Sequence, residues 1–145
     1  MLILAGCNKS SRPLLQLEMY ADTQSALYVV QQNGTIEYGG GINALAGNTT
    51  WTGTLTSAQL SKLHTMLLSE KLLGEKRKLM NRYVIGIQNG EVFQHVVLPL
   101  TDSSATELYY FLEESTLQRV QSHLDSLPKP SMDVITERKI KGSTR

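Results

Sequence analysis

Two Asn-Gly pairs, Asn33-Gly34 and Asn89-Gly90, each stand between runs rich in Val, Ile, Tyr and Thr. Both residue types tolerate the positive φ of a type I′ turn, whose twist matches that of two strands paired antiparallel. The first pair joins SALYVVQQ to TIEYGGG, and the second joins RYVIGIQ to EVFQHVVLPL. Two hairpins of this kind commit the chain to an antiparallel sheet.

The flanking segments extend the pattern. In LLQLEMYA, Leu15, Leu17 and Met19 alternate with Gln16, Glu18 and Tyr20, the period of a strand with one buried face. NTTWTGTLT reads as a fourth strand with Trp51 and Leu55 turned inward, and the Gly-rich GGGINALAGN before it as a flexible hairpin loop. Pro99 closes the last strand, because proline cannot donate to a ladder.

Two stretches carry helical spacing instead. Thr56-Ser57-Ala58-Gln59 has the form of a capping box, and Leu60, Leu63, Leu67 and Leu68 follow as an apolar stripe that Gly74 ends. Ser104-Ala105-Thr106-Glu107 is a second capping-box match. Leu108, Phe111 and Leu112, then Leu117, Val120, Leu124 and Leu127, mark the core face of one long helix or a kinked pair, stopped by Pro128 and Pro130. The expected order is β-β-β-β-α-β-β-α: an α+β fold with an antiparallel sheet of about six strands packed by two helices. A single domain spans 14–127, preceded by a segment over 1–13 and followed by a mostly disordered tail over 128–145.

Composition bounds the function. Lys plus Arg number 14 against 13 for Asp plus Glu, so no global field favours nucleic acid. No run approaches the ~18 apolar residues of a membrane-spanning helix. Cys7 is the one cysteine, which excludes an internal disulfide and a cysteine-based zinc cluster. His64, His95 and His123 fall on separate elements without the i+3 or i+4 partners of helical metal pairs. Ser57, Ser104 and Asp102 read as helix caps rather than a triad. Glu113-Glu114 reads as a solvated helix face, since neighbouring helical residues diverge by ~100°. Gly39–Gly41 lacks the Lys and the Ser/Thr-led helix of a phosphate loop. The basic stretch Lys71–Arg82 offers contact with anionic head groups, against the plainer reading of a solvated connector. No catalytic, cofactor-binding or metal-binding residue is expected, and no cofactor.

Leu4-Ala5-Gly6-Cys7 resembles the lipobox of bacterial lipoproteins: a Leu, two small residues and an obligatory Cys. The resemblance implies that Cys7 is the lipid attachment residue, that the peptide before it is removed, and that the mature N-terminus carries three acyl chains. One chain alone binds a membrane only marginally, so several are needed for a stable anchor. The polar Asn8-Lys9-Ser10-Ser11-Arg12-Pro13 that follows suits a tether. The match departs from the family in its leader, where Met1-Leu2-Ile3 stand in place of a basic and apolar signal. Residues 27–68, with NGTIEYGGG and WTGTLTSAQLSKLHTML, also resemble small bacterial α+β domains without established chemistry, although the Cys-Pro-x-Tyr stretch many of them carry is absent here.

These resemblances imply a lipid-anchored cell-envelope protein facing the periplasm, and the Asn8 that follows Cys7 implies the outer membrane rather than the inner. Its expected partners are the membrane, through the anchor, and an envelope protein or ligand, with no nucleic acid. Two other readings stand beside this one: a small envelope hydrolase or enzyme inhibitor, and an intracellular domain in which LAGC is coincidental.

Overall fold

The computed structural model describes residues 12–69, 79–89 and 91–128. Six strands, β1 (Leu15–Tyr20), β2 (Ser25–Val30), β3 (Thr35–Gly40), β4 (Trp51–Thr54), β5 (Arg82–Asn89) and β6 (Val92–Pro99), form one antiparallel sheet in the order β4-β3-β2-β1-β5-β6. Four helices accompany them: α1 (Ile42–Leu45), α2 (Ser57–Ser69), α3 (Ser103–Ser115) and α4 (Leu117–Ser126). The expected α+β class and six-stranded antiparallel sheet are both present.

Strand alternation decides which face is covered. Leu17 of β1 pairs with Tyr28 of β2 and Ile85 of β5, and all three side chains are fully buried. They meet Leu63 of α2 and Leu108 and Leu112 of α3 in one apolar core. Each fully buried aliphatic side chain there contributes about 1.5–3 kcal/mol. Trp51 packs at the edge of this core and Leu55 inside it, as their spacing predicts.

The first hairpin differs in its turn. Gly34 has φ 91°, while Asn33 stays at negative φ. The Gly34 amide donates to the Gln31 carbonyl, and the Asn33 side chain accepts from the Thr35 amide. This is the longer hairpin connection that ends in a left-handed glycine, rather than a two-residue type I′ turn. Pairing and inward face are unchanged by it.

The Gly-rich segment is also more ordered than its composition suggests. Gly39 and Gly40 belong to β3, and α1 follows at once, so the expected flexible loop is a strand end and a short helix. The chain then returns across the sheet face opposite α2 and α3. The Asn48 carbonyl oxygen lies 2.0 Å from where a Cβ on Gly39 would stand. Only a residue without a side chain admits the backbone this closely. Leu27, paired with Gly39 and pointing to the same face, is buried beneath this excursion.

The helix starts follow one prediction and correct another. Thr56 and Gln59 form a reciprocal capping box, with the Gln59 amide donating to Thr56 Oγ1 and the Thr56 amide to Gln59 Oε1. At α3 the cap is Asp102, whose carboxylate accepts from the Ala105 amide at 2.8 Å. Ser104 therefore lies inside the first turn and not at its start.

Candidate functional site

The most structured polar cluster sits where α3 gives way to α4. Thr116 breaks the helix with φ −114° and ψ 20°. Its fully buried hydroxyl donates to the carbonyls of Leu112 and Glu113. The bend sends Arg119, in the first turn of α4, back toward the sheet. Its guanidinium lies 3.7 Å from the centroid of the Tyr38 ring. From there Nη2 donates to the Tyr28 hydroxyl and to Glu113 Oε1, both at 3.0 Å. The Tyr28 hydroxyl in turn donates to Glu113. Arg119 Nε is buried without a hydrogen bond, and the guanidinium is held by its stack on Tyr38 together with the two Nη2 bonds.

A row of tyrosines runs beneath this cluster. Tyr28 lies 5.1 Å from Tyr38 and 6.1 Å from Tyr109, and Tyr109 lies 5.9 Å from Tyr83. Burial first, then the bond to Glu113, holds the Tyr28 phenol well above the ordinary tyrosine range. Burial and Glu113 raise Tyr109 in the same way, and burial raises Tyr83. Phenols held protonated beside a guanidinium offer no base near neutral pH. The cluster ties the sheet to α3 and α4, and Glu113 is a half-buried member of it rather than part of a solvated face. Glu114 does remain exposed.

A second polar group lies on the opposite sheet face. Glu18 accepts from Gln16 Nε2 at 2.9 Å and from the Tyr20 hydroxyl at 2.7 Å. Burial and Glu18 push the Tyr20 phenol up to about 12. Arg82 stacks on its ring at 4.5 Å and donates to the carbonyls of Leu79 and Met80. His95 is exposed on this face with Phe93 at 4.8 Å, as alternation along β6 predicts. His64 is exposed on α2, and His123 belongs to α4. The three thus belong to separate elements. Among the described residues no group of three or more His, Cys, Asp or Glu side chains is placed to hold a metal ion.

Apolar surface is the more distinctive feature. Leu117, Val120, Leu124 and Leu127, expected to continue the core face of α3, are all exposed. The cause is the bend at Thr116, which turns the Arg119 side of α4 toward the body and the leucines away. Leu68 is exposed too, so only Leu60, Leu63 and Leu67 of the α2 stripe reach the core. Ile42 and Leu45 of α1 rim a shallow depression of about 290 Å³ that Tyr20, Asp22, Gln24 and Ser25 also line. Cys7, the anticipated lipid attachment residue, and all of the Lys71–Arg82 stretch before Leu79 lie outside the described residues.

The Tyr28–Glu113–Arg119 cluster was missed because its members are remote in sequence. One signal for it exists: Tyr28 alternates with Ala26 and Val30 and must point inward, where a phenol requires a polar partner. No protein-family model and no curated protein matches the chain.

Proposed function

We propose that this chain is a lipid-anchored bacterial cell-envelope protein, held by acyl chains on Cys7 and facing the periplasm at the outer membrane, whose α+β domain binds a partner. The observation that carries the reading is the Leu4-Ala5-Gly6-Cys7 sequence with a polar tether directly behind it. Small residues at the two positions before the cysteine suit a narrow peptidase site, and a thiolate is the side chain best suited to alkylation. Among the described residues no helix is long and apolar enough to cross a membrane.

The binding role rests on the surface. Exposed apolar side chains on α4 and α1 suit contact with another molecule. The near-balanced charge argues against nucleic acid as that molecule.

Fractionation of host cells tests the anchor. The native gene product is expected in the membrane pellet, resistant to high salt. The Cys7→Ser form is expected to lose that sedimentation. Equal partition of both forms would refute the reading.

A further inference from the structure

Arg119 meets the body of the domain in a cleft whose walls all come from other elements. Tyr28 stands on β2, Tyr38 on β3 and Glu113 on α3. Tyr28 is fully buried and Tyr38 packs against the core, so packing beneath them, rather than α4, positions the two rings. The Tyr38 ring presents its face to a planar cation, and the Tyr28 oxygen and the Glu113 carboxylate accept its protons. An aromatic face beside a carboxylate is the recognition chemistry of a guanidinium, and an ammonium has no planar face to stack there.

The present occupant fits imperfectly. Arg119 Nη2 makes both hydrogen bonds, while Nε is buried and makes none. A guanidinium not tied to a helix backbone can set two N–H groups against the two carboxylate oxygens at once, the stronger bidentate form. Its way in lies at Glu113, whose side chain stays 31 % exposed with Arg119 beside it.

α4 is also easily given up. Its 10 residues are marginal as an isolated helix in water, and its leucines face outward, so little apolar burial holds it down. Arg119 lies in the turn directly after the Thr116 bend, its amide donating to the Thr116 carbonyl. Movement at that bend lifts Arg119 out of the cleft while α3 stays on the sheet.

We propose that the Tyr28–Tyr38–Glu113 cleft is an arginine-binding site which Arg119 fills in cis, and that an arginine side chain of a partner polypeptide displaces it and frees α4. As a tethered competitor Arg119 acts at an effective concentration of about millimolar or above. A lone arginine therefore displaces it only when supplied in excess, and a partner with further contacts does so at lower concentration. This inference does not depend on the anchor on Cys7.

The test uses the full chain carrying Cys7→Ser, which excludes modification of the thiol. The probe is Nα-acetyl-arginine N-methylamide, and the corresponding lysine derivative controls for charge and ionic strength. Arg119→Ala removes the competitor, and the arginine probe is then expected to bind at least about tenfold more tightly than to the chain retaining Arg119. It should also outbind the lysine probe at least about tenfold. Tyr38→Leu or Glu113→Gln, each added to Arg119→Ala, should weaken it at least about fivefold. In the chain retaining Arg119, excess arginine probe should raise amide hydrogen exchange in α4 at least about threefold over the same concentration of lysine probe, with β1, β2 and β5 unchanged. This second measurement decides the matter if Arg119→Ala does not fold. A folded Arg119→Ala chain that binds neither probe, or both alike, overturns the proposal. So does exchange in α4 that is the same with either probe.

Discussion

The hydroxyl of Tyr28, at the middle of the sheet, donates to the carboxylate of Glu113, near the end of α3 and 85 residues further along the chain. Arg119 closes the triangle from the next helix. This contact ties the first hairpin to the last two helices, and its removal has a defined consequence. Tyr28→Phe keeps the ring and its packing but leaves Glu113 with one partner fewer. The expected loss is about 1–2 kcal/mol in urea unfolding, with an unchanged m-value. An unchanged midpoint would show that the bond adds nothing.

Arg119 holds α4 to the body by stacking on Tyr38 and by its two donated bonds. The cation–π contact alone contributes about 0.5–2 kcal/mol. Arg119→Ala is expected to raise amide hydrogen exchange throughout α4 while protection in β1, β2 and β5 stays the same. Arg119→Lys should not restore it, since an ammonium lacks the planar face that stacks on Tyr38.

Gly39 is required by the backbone that crosses it. A methyl group there would meet the Asn48 carbonyl, and a main-chain atom cannot swing aside as a flexible side chain can. Gly39→Ala should therefore displace the 41–50 excursion, uncover Leu27 and cost about 1–3 kcal/mol or more by thermal or urea unfolding. Gly41→Ala, with open space around its Cβ position but φ 58° and ψ −129°, outside the left-handed helical well, should cost about 1–3 kcal/mol through backbone strain alone.

Alkaline pH should unfold the domain through its tyrosines. Tyr28, Tyr109, Tyr83 and Tyr20 all have phenols raised in the folded state. The unfolded chain therefore releases these protons first. Their contribution to stability is complete below the ordinary tyrosine value of about 10. It is lost as pH rises through that value toward the folded ones, at about 1.4 kcal/mol per pH unit for each phenol that ionises only on unfolding. Absorbance at about 295 nm should show these phenols ionising together with the loss of circular dichroism. Tyr28→Phe should reduce the slope by one proton. Smooth titration of every tyrosine before unfolding would contradict the burial described.

How much of this was legible depends on the range of each interaction. Leu15, Leu17 and Met19 announced an inward face because alternation along a strand is local, and the Asn-Gly pairs announced hairpins for the same reason. Thr56 and Gln59 cap each other within one turn and were equally readable. Gly39 to Gly41 misled because glycine serves both a flexible loop and a strand crossed closely by another segment, and only the path of Asn48 separates the two. Glu113 was assigned to solvent from its neighbour Glu114, whereas its partners come from β2 and from beyond the Thr116 bend. That bend also explains the leucines of α4, whose periodicity was read correctly and whose direction was not.

The intact mass of the native gene product, recovered from membranes of its host, is the direct test of the proposed anchor on Cys7. The expected mass equals the chain beginning at Cys7 plus a diacylglyceryl group and an amide-linked acyl chain, with no such species from Cys7→Ser. An unmodified chain retaining the residues before Cys7 and a free thiol would contradict it.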